Sequence, residues 1–533
     1  MEELTLRTAF ESGKTYLFSA ERLDVRNEDA VNVDCVAFPR VKTAFFLKGL
    51  SDVTLDFNGA ALCMHGDIQP FTLIDCKNVT VKNVITENQR SHYTEGTIVS
   101  SFPGRYRIRM NEKYTFSVRD ENLIVYGDGW KNENIDKHPM MFMQFFDGKT
   151  RKGTGYTPLV NIGKTVAEYD KKHFNVHHLT AHEKDGDLVV KGGLWMRPQK
   201  KGTHVVFEHE HRGTGTLVAC RCDDLTLENF RVVNGSGMAI VPICCNNVTL
   251  KKLLFTFDEK SHGFISNAAD GFHSFACSGS LVMEDCVFEG MIDDALNIHG
   301  NYFLLQSVEE NKATVKIGSL AFSDDNGPLS QTSYFPLREG DVISVNKGKT
   351  LIVRDTYTIK KITHIDKISC VLTLDKTVEG NAGDLVEDVS AQVELTMKNC
   401  RFGKTNTHLR FQTRGKTLIE NCTTELPFWL TGDMNYWYEG SPCTDFTVRN
   451  CRFVGKNARI TLCPDYLPTT SEPYYHKNVT VENCVFDAAV AVDARFADNV
   501  VFVGNKNRKG KKFVILAKGC GKIVADNASI LRR

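Results

Sequence analysis

A short phrase recurs along the chain and limits what it can fold into. It consists of an apolar–polar–apolar strand of three or four residues, then Asn or Asp, often Cys, then another apolar pair. It reads NVTVKNVI from Asn78, DLTLENFRV from Asp224, SLVMEDCVF from Ser280, ELTMKNCRF from Glu394, TLIENCTT from Thr417, DFTVRNCRF from Asp445 and NVTVENCVF from Asn478; a weaker copy, NVVFVGN, starts at Asn499. The offset is 23 residues from Leu225 to Val248, from Leu395 to Leu418 and from Val500 to Ile523. Larger offsets, such as Phe446 to Val479, read as the same unit with a loop inserted. Short β-branched strands at this period predict coils of a solenoid, stacked in parallel about 4.8 Å apart. A β-sandwich would not need the same turn residue in phase from strand to strand.

The repeated Asn then falls at a bend between strands, where its amide can bond backbone groups that the bend leaves over. Cys400, Cys422, Cys451 and Cys484 would stack in a narrow interior without polar cost. Two stretches break the rhythm. Residues 100–205, through YGDGWKNEN and VVKGGLWMRP, read as an inserted β-rich domain, and residues 303–390, with REGDVISVNKG, YTIKKITH and CVLTLDKTVEG, as a small inserted β-barrel or sandwich. The expected organisation is all-β: coils over 1–99, a core over 206–302 and closing coils over 391–533.

Lysine plus arginine equals aspartate plus glutamate at 65 each, so no net field favours nucleic acid or an anionic membrane. No apolar run is long enough for a spanning helix. The opening MEELTLRTAFESGKTYLFSA lacks the apolar region of a secretory signal; the expectation is a cytoplasmic protein, or a secreted or periplasmic one if a leader has been removed. Seventeen cysteines, odd in number and dispersed, fit reduced core residues better than a disulfide framework.

Candidate chemistry gathers in DGFHSFACSGSLVMEDCVFEGMIDDALNIHG, residues 270–300. Asp270 and Asp293 are 23 residues apart, so the repeat predicts that they sit at the same level on adjacent coils, with Asp294 beside them. Carboxylates gathered this closely raise one another's cost of ionising, and glycoside hydrolysis needs one carboxyl as proton donor and another to activate water. Turn aspartates capping strand ends are the plain alternative. His273, Asn297 and His299 lie close enough in sequence to support the acids or bind sugar hydroxyls. In GDMNYWYEG, Tyr436 and Trp437 can offer an aromatic face to a sugar, with Arg410 and Glu439 as further polar partners.

DGFHSFACSG, VFEGMIDDALNIHG, TGDMNYWYEG and YYHKNVTVENCVF together resemble glycoside hydrolase family 110, over roughly residues 205–510. The resemblance implies a right-handed parallel β-helix with inserted β domains. It also implies an inverting, metal- and cofactor-independent enzyme that removes terminal α-1,3-linked galactose from oligosaccharides or glycans. Its acidic triad would fall on Asp270, Asp293 and Asp294, with Asp293 as general acid and the other two activating water. One departure is Ala295, where the family often has proline after the second aspartate.

Two other readings stand beside this one: a related β-helical enzyme such as an α-N-acetylgalactosaminidase, and a non-catalytic carbohydrate-binding β-helix. A polygalacturonase fits less well, because its Gly-His-Gly and Arg-Ile-Lys phrases do not follow the acid pair. In HFNVHHLTAHE, His173, His177, His178 and His182 would form i, i+4 pairs on a helix, yet no companion ligand pattern supports a metal there. A homo-oligomer is compatible with the sequence.

Overall fold

In a computed structural model of the protein, the described residues are 2–33, 41–127, 130–132, 142–163, 176–208, 214–257, 263–318, 335–366, 368–466 and 468–533. The frame is an all-β solenoid, a parallel β-helix whose coils are joined by three parallel ladders. The first ladder includes Lys77–Asn88, Asp223–Val233, Asn246–Lys251, Ser278–Glu284 and Val393–Lys398. The second, one bend later, includes Leu254–Thr256, Val287–Glu289 and Arg401–Gly403. The third includes Ile240–Ile243, Phe272–Phe275, Leu296–Glu309, Leu409–Gln412, Phe428–Leu430 and Ile460–Leu462.

The recurrent Asn makes the bend between the first two ladders. Asn83, Asn229, Asn399, Asn421, Asn450 and Asn483 all have φ between 49° and 57°, the left-handed region that Asn tolerates better than other side chains. Their amides reach mainly along the stack to side chains rather than to backbone: Asn83 donates to Asp56 at 2.9 Å, Asn229 to Asn83 at 3.0 Å and Asn399 to Asp285 at 3.1 Å. Just inside this bend the cysteines form the expected column. The amides of Cys400, Cys422 and Cys451 each donate to the next thiol, Cys422, Cys451 and Cys484, at 3.3–3.4 Å, and Asn505 ends the column by accepting from Cys484 N at 2.8 Å. Phenylalanines stack beside them, Phe288 on Phe402 at 5.2 Å and Phe453 on Phe486 at 4.4 Å, so each coil buries the same apolar unit as its neighbour.

Coil length varies more than the 23-residue rule allows. Val500 does pair with Ile523 and Leu225 with Val248, but Leu395 pairs with Thr417, and Val248 with Leu281. A coil can lengthen or shorten at its bends without disturbing the ladders, because only the strands must stay in register.

Two β bodies interrupt the coil. The first is an eight-stranded sheet running from Tyr93–Phe102 to His204–Glu208 in sequence. His177, His178 and His182 lie there on the strand His177–Lys184, not on a helix, so the i, i+4 pairing fails; His173 lies outside the described residues. The second is a closed six-stranded antiparallel barrel made from residues 302–309 of the strand Leu296–Glu309, with Lys312–Ile317, Val342–Asn346, Val353–His364, Ser369–Leu374 and Leu385–Asp388.

Both bodies are placed by the third ladder. The first leaves the coil at the corner that precedes this ladder and packs Tyr93, Phe146 and Val206 on Phe264, Ile265 and Ile292 of later corners. Gln144 Nε2 donates to Ile292 O at 2.6 Å. The barrel begins on the same strand as residues 296–299 and packs Phe303 and Phe335 toward Val241, Ile243 and Phe275. The third ladder and its entry corner therefore lie between two walls.

Candidate active site

The entry corner carries the acids and the ladder carries their partners. Phe272 pairs with Leu296 and Leu296 with Leu409, which aligns His273, Asn297 and Arg410 as one outward-facing row across three coils. Trp429 and Thr461 continue that row. Counting two residues back from Phe272 and Leu296 sets Asp270 against Asp294. Gly271 N donates to Asp294 O at 2.9 Å, and Asn267 bridges Met291 with the same offset. Asp270 and Asp293 do lie on adjacent coils, but the residue level with Asp270 is Asp294. The coil here is one residue longer than the period read from the sequence.

Asp270 and Asp294 are both buried, and Asp293 is half-buried. Asp270 Oδ2 lies 2.6 Å from His273 Nδ1, and His273 Nε2 lies 2.9 Å from His299 Nε2. His299 Nδ1 is 2.7 Å from Gly300 O. Asp294 Oδ1 lies 3.0 Å from His408 Nε2 and accepts from Thr407 Oγ1 at 3.3 Å, while Arg410 Nη1 stands 3.7 Å from its other oxygen. Asp293 Oδ1 accepts the amide of Asp294 at 3.0 Å.

Arg410 is the common partner. Burial alone would push its guanidinium down, but Glu439, then Asp294, Asp293 and Asp270, outweigh that and hold it above its ordinary value. Arg410 Nη2 is 3.0 Å from Glu439 Oε2. For Glu439, burial works to raise the carboxyl, and the charges of Arg410, His299 and His273, with the Gln412 amide, more than reverse it, leaving the group well below the usual carboxylate range. Gln412 Nε2 also donates to Asn297 Oδ1 at 3.2 Å. Burial pushes His299 down to about 4, against the opposing pull of Glu439. The result is four carboxylates around one half-buried guanidinium, with histidines on three of the four.

Glu439 reaches the site because its loop folds back. Asp433 accepts the amides of Asn435 and Tyr436 on one oxygen and that of Trp437 on the other, at 2.5–2.8 Å. Glu439 and Gly440 then pair antiparallel with Asn301 and Gly300. Tyr436 and Trp437 are half-buried and meet edge to face at 4.8 Å, whereas Tyr438 is buried against the barrel, its hydroxyl 2.8 Å from Lys349 Nζ.

The residues read from sequence thus converge: Asp270, Asp293, Asp294, His273, Asn297, His299, Arg410 and Glu439 form one connected cluster. Tyr436 and Trp437 belong to its rim loop. Sequence reasoning missed Thr407, His408, Gln412, Trp429 and Asp433. His408 stacks on Trp429 at 3.8 Å between ring centres, so the group that holds Asp294 is itself held by an aromatic plane one coil further on. The corrected register exposes both, since His408 stands two places before Arg410. Ala295 N donates to His408 O at 3.0 Å, a bond that proline at this position would abolish.

Among the described residues, one group has three metal-type ligand atoms within 4.8 Å of one another: Asp24, Cys63 and His65, far along the coil from the acids. Arg22 already neutralises it, bonding Asp24 at 3.0 Å and Glu87 at 2.6 Å.

No protein-family model matches the chain. It is 25% identical over 501 residues to Alpha-1,3-galactosidase B of Bacteroides thetaiotaomicron, covering 89% of this chain and 77% of that one. Alpha-1,3-galactosidase B of Akkermansia muciniphila is 25% identical over 86% of this chain and 57% of its own length, and Alpha-1,3-galactosidase A of Shewanella woodyi 21% identical over 88% and 76%. The chain is a distant homologue of these enzymes. Among solved structures, a tailspike of Acinetobacter baumannii bacteriophage AP22 in complex with capsular saccharide aligns at 9% identity over 97% of this chain and 64% of that one, with a TM-score of 0.18. That score is too low to compare sites. No described helix is long and apolar enough to cross a membrane.

Proposed function

We propose that the protein is an exo-acting glycoside hydrolase that removes terminal α-linked galactose, α-1,3-linked in the first instance, with inversion at the anomeric carbon. The observation that carries the reading is the opposition of Asp270 and Asp294 on adjacent coils, with Asp293 beside them and Arg410 facing all three. A non-catalytic sugar-binding coil has no need of three acids around one guanidinium. The distant galactosidase relatives supply the choice of sugar.

In this reading Asp293, the least buried of the three, protonates the glycosidic oxygen. Asp294, in contact with His408 and Arg410, and Asp270, in contact with His273, take the proton of a water placed between them. That water attacks the anomeric carbon from the face opposite the leaving group, which in inverting enzymes requires about 6.5–9.5 Å between acid and base. Asn297, Gln412 and Glu439 present polar atoms to the sugar hydroxyls, and Trp429 lies on the flank where a leaving sugar would emerge.

The test compares α-1,3-, α-1,4- and α-1,6-linked galactosides with α-N-acetylgalactosaminides, following by NMR the anomer first released. β-Galactose from the α-1,3 substrate is expected. Release of α-galactose would overturn the inverting step, preference for the N-acetylated sugar would transfer the reading to that substrate, and inertness toward every glycoside would leave a binding protein.

A further inference from the structure

We propose that the groove runs on from the acids toward the C-terminal coils, and that Asp493, three coils beyond Arg410, holds a neutral sugar of the leaving oligosaccharide. The inference deepens the galactosidase reading and rests on it, since that reading puts the cleaved bond at Asp270, Asp293 and Asp294.

The direction is set by which part of one row is covered. Alternate residues of the third ladder point outward, and Ile240 pairs with Phe272, so Val241 is level with His273. Val218 lies one coil before Val241. Val218 is 0% exposed and Val241 1%, because both belong to the apolar cluster that the barrel shares through Phe303 and Phe335. Before the acids, then, the outward row is roofed. After them it opens: Trp429, Thr461 and Asp493 follow Arg410 in register, and each is half-buried. Leu516, next in register, is buried again and ends the opening.

The flanks agree with this direction. Lys152 of the first body reaches Glu425 at 3.3 Å, and Lys349 of the barrel reaches the Tyr438 hydroxyl at 2.8 Å. Both bodies thus wall the groove as far as the coil of Trp429. A sugar chain whose terminal unit sits at the acids can run along the ladder one way only, over Trp429 and toward Asp493.

The span from Arg410 to Asp493 is three coil rises, about 14 Å at about 4.8 Å each, which accommodates roughly two further sugar rings. Trp429 has His408 on one face and belongs to the acid site. The polar groups beyond it are unclaimed by the protein. Asp493 makes no hydrogen bond or ion pair among the described residues, and Thr461 Oγ1, one coil nearer the acids, is enclosed without a partner. A half-buried carboxylate is costly to leave unmet. It only accepts, so it takes a sugar O–H or an acetamido N–H and repels uronate, sialyl and sulfate groups.

Hydrolysis of a series with one terminal α-galactose and one, two or three neutral sugars behind it tests the assignment. For the native protein kcat/KM is expected to rise about tenfold from the shortest member to the longest, mainly through KM, as one charge-assisted hydrogen bond allows. In Asp493→Ala that ratio is expected to fall to near unity, and in Asp493→Asn, which keeps the side-chain shape, to lie between; unfolding midpoints check that both variants fold. No rise with length in the native protein, or a rise that survives Asp493→Ala intact, overturns the proposal. A sialylated longest member is expected to be a poorer substrate than the neutral one, and the reverse order defeats the choice of a neutral sugar. If the native protein cuts no galactoside, the galactosidase reading falls by itself. Calorimetric titration with the same intact series then decides the groove: affinity that climbs with length and loses the climb in Asp493→Ala upholds it, and any other pattern rejects it.

Discussion

Arg410 Nη2 lies 3.0 Å from Glu439 Oε2, and the same guanidinium faces Asp294, Asp293 and Asp270. One cation thus balances a site that would otherwise hold several buried negative charges. Arg410→Met should cost about 3–5 kcal/mol of stability, the usual penalty for leaving a buried partner uncompensated. Urea unfolding measures this. In whatever activity survives, the acid limb should move to higher pH, because carboxylates deprived of the cation ionise later.

Glu439 gives a stability prediction with a definite sign. Its carboxyl is depressed in the folded protein, so its contribution is fully present above the ordinary glutamate value near about 4.3 and is lost as pH falls toward its folded value. Unfolding midpoints measured from pH 7 down to 3 should decline for the native protein below about 4.3 and decline less for Glu439→Gln. Equal slopes would show that the pair with Arg410 does not govern acid stability.

The three aspartates should separate by substrate. Each change to Asn is expected to lower kcat/KM on a natural α-galactoside by about 10²–10⁴, with folding intact by circular dichroism. A leaving group that needs no proton should rescue Asp293→Asn and not Asp270→Asn or Asp294→Asn. Rescue of Asp294→Asn instead would exchange the roles within the adjacent pair.

Trp429 stacks on His408, whose Nε2 lies 3.0 Å from Asp294 Oδ1. Trp429→Ala should lower kcat about tenfold by loosening that ring, and Trp429→Phe should restore most of the loss. A change confined to KM would place Trp429 against the substrate rather than behind His408.

The thiol column can be tested without any substrate. Cys400, Cys422, Cys451 and Cys484 are all buried, and the last three each accept at sulfur the amide of the cysteine one coil earlier. A charged thiol reagent should modify none of them before unfolding, as read by mass spectrometry. Cys422→Ala should cost on the order of 1–3 kcal/mol through the lost sulfur and the small void.

The coil was legible because its physics repeats: an apolar pair, an Asn able to take positive φ, and a cysteine narrow enough to stack recur in phase. The acids were legible as a group for the same reason. Their pairing was not, since the bends absorb extra residues without a mark in the sequence, and a one-residue difference replaces Asp293 by Asp294 opposite Asp270. His408 and Trp429 escaped notice because neither adjoins an acid in the chain; only the stacking of coils brings them in. The histidines of HFNVHHLTAHE misled in the other direction, since i, i+4 spacing means proximity only on a helix, and His177–Lys184 is a strand.

The strand Leu296–Glu309 has a consequence for anyone who would rebuild this molecule. Its first residues belong to the coil beside Arg410, and its later ones are a stave of the barrel. The accessory body is therefore no pendant held by a tether: the two share a spine. A chimera exchanging barrels among homologues would have to splice within unbroken backbone, and any tilt of the graft would be delivered to Asn297 and His299 without a hinge to absorb it.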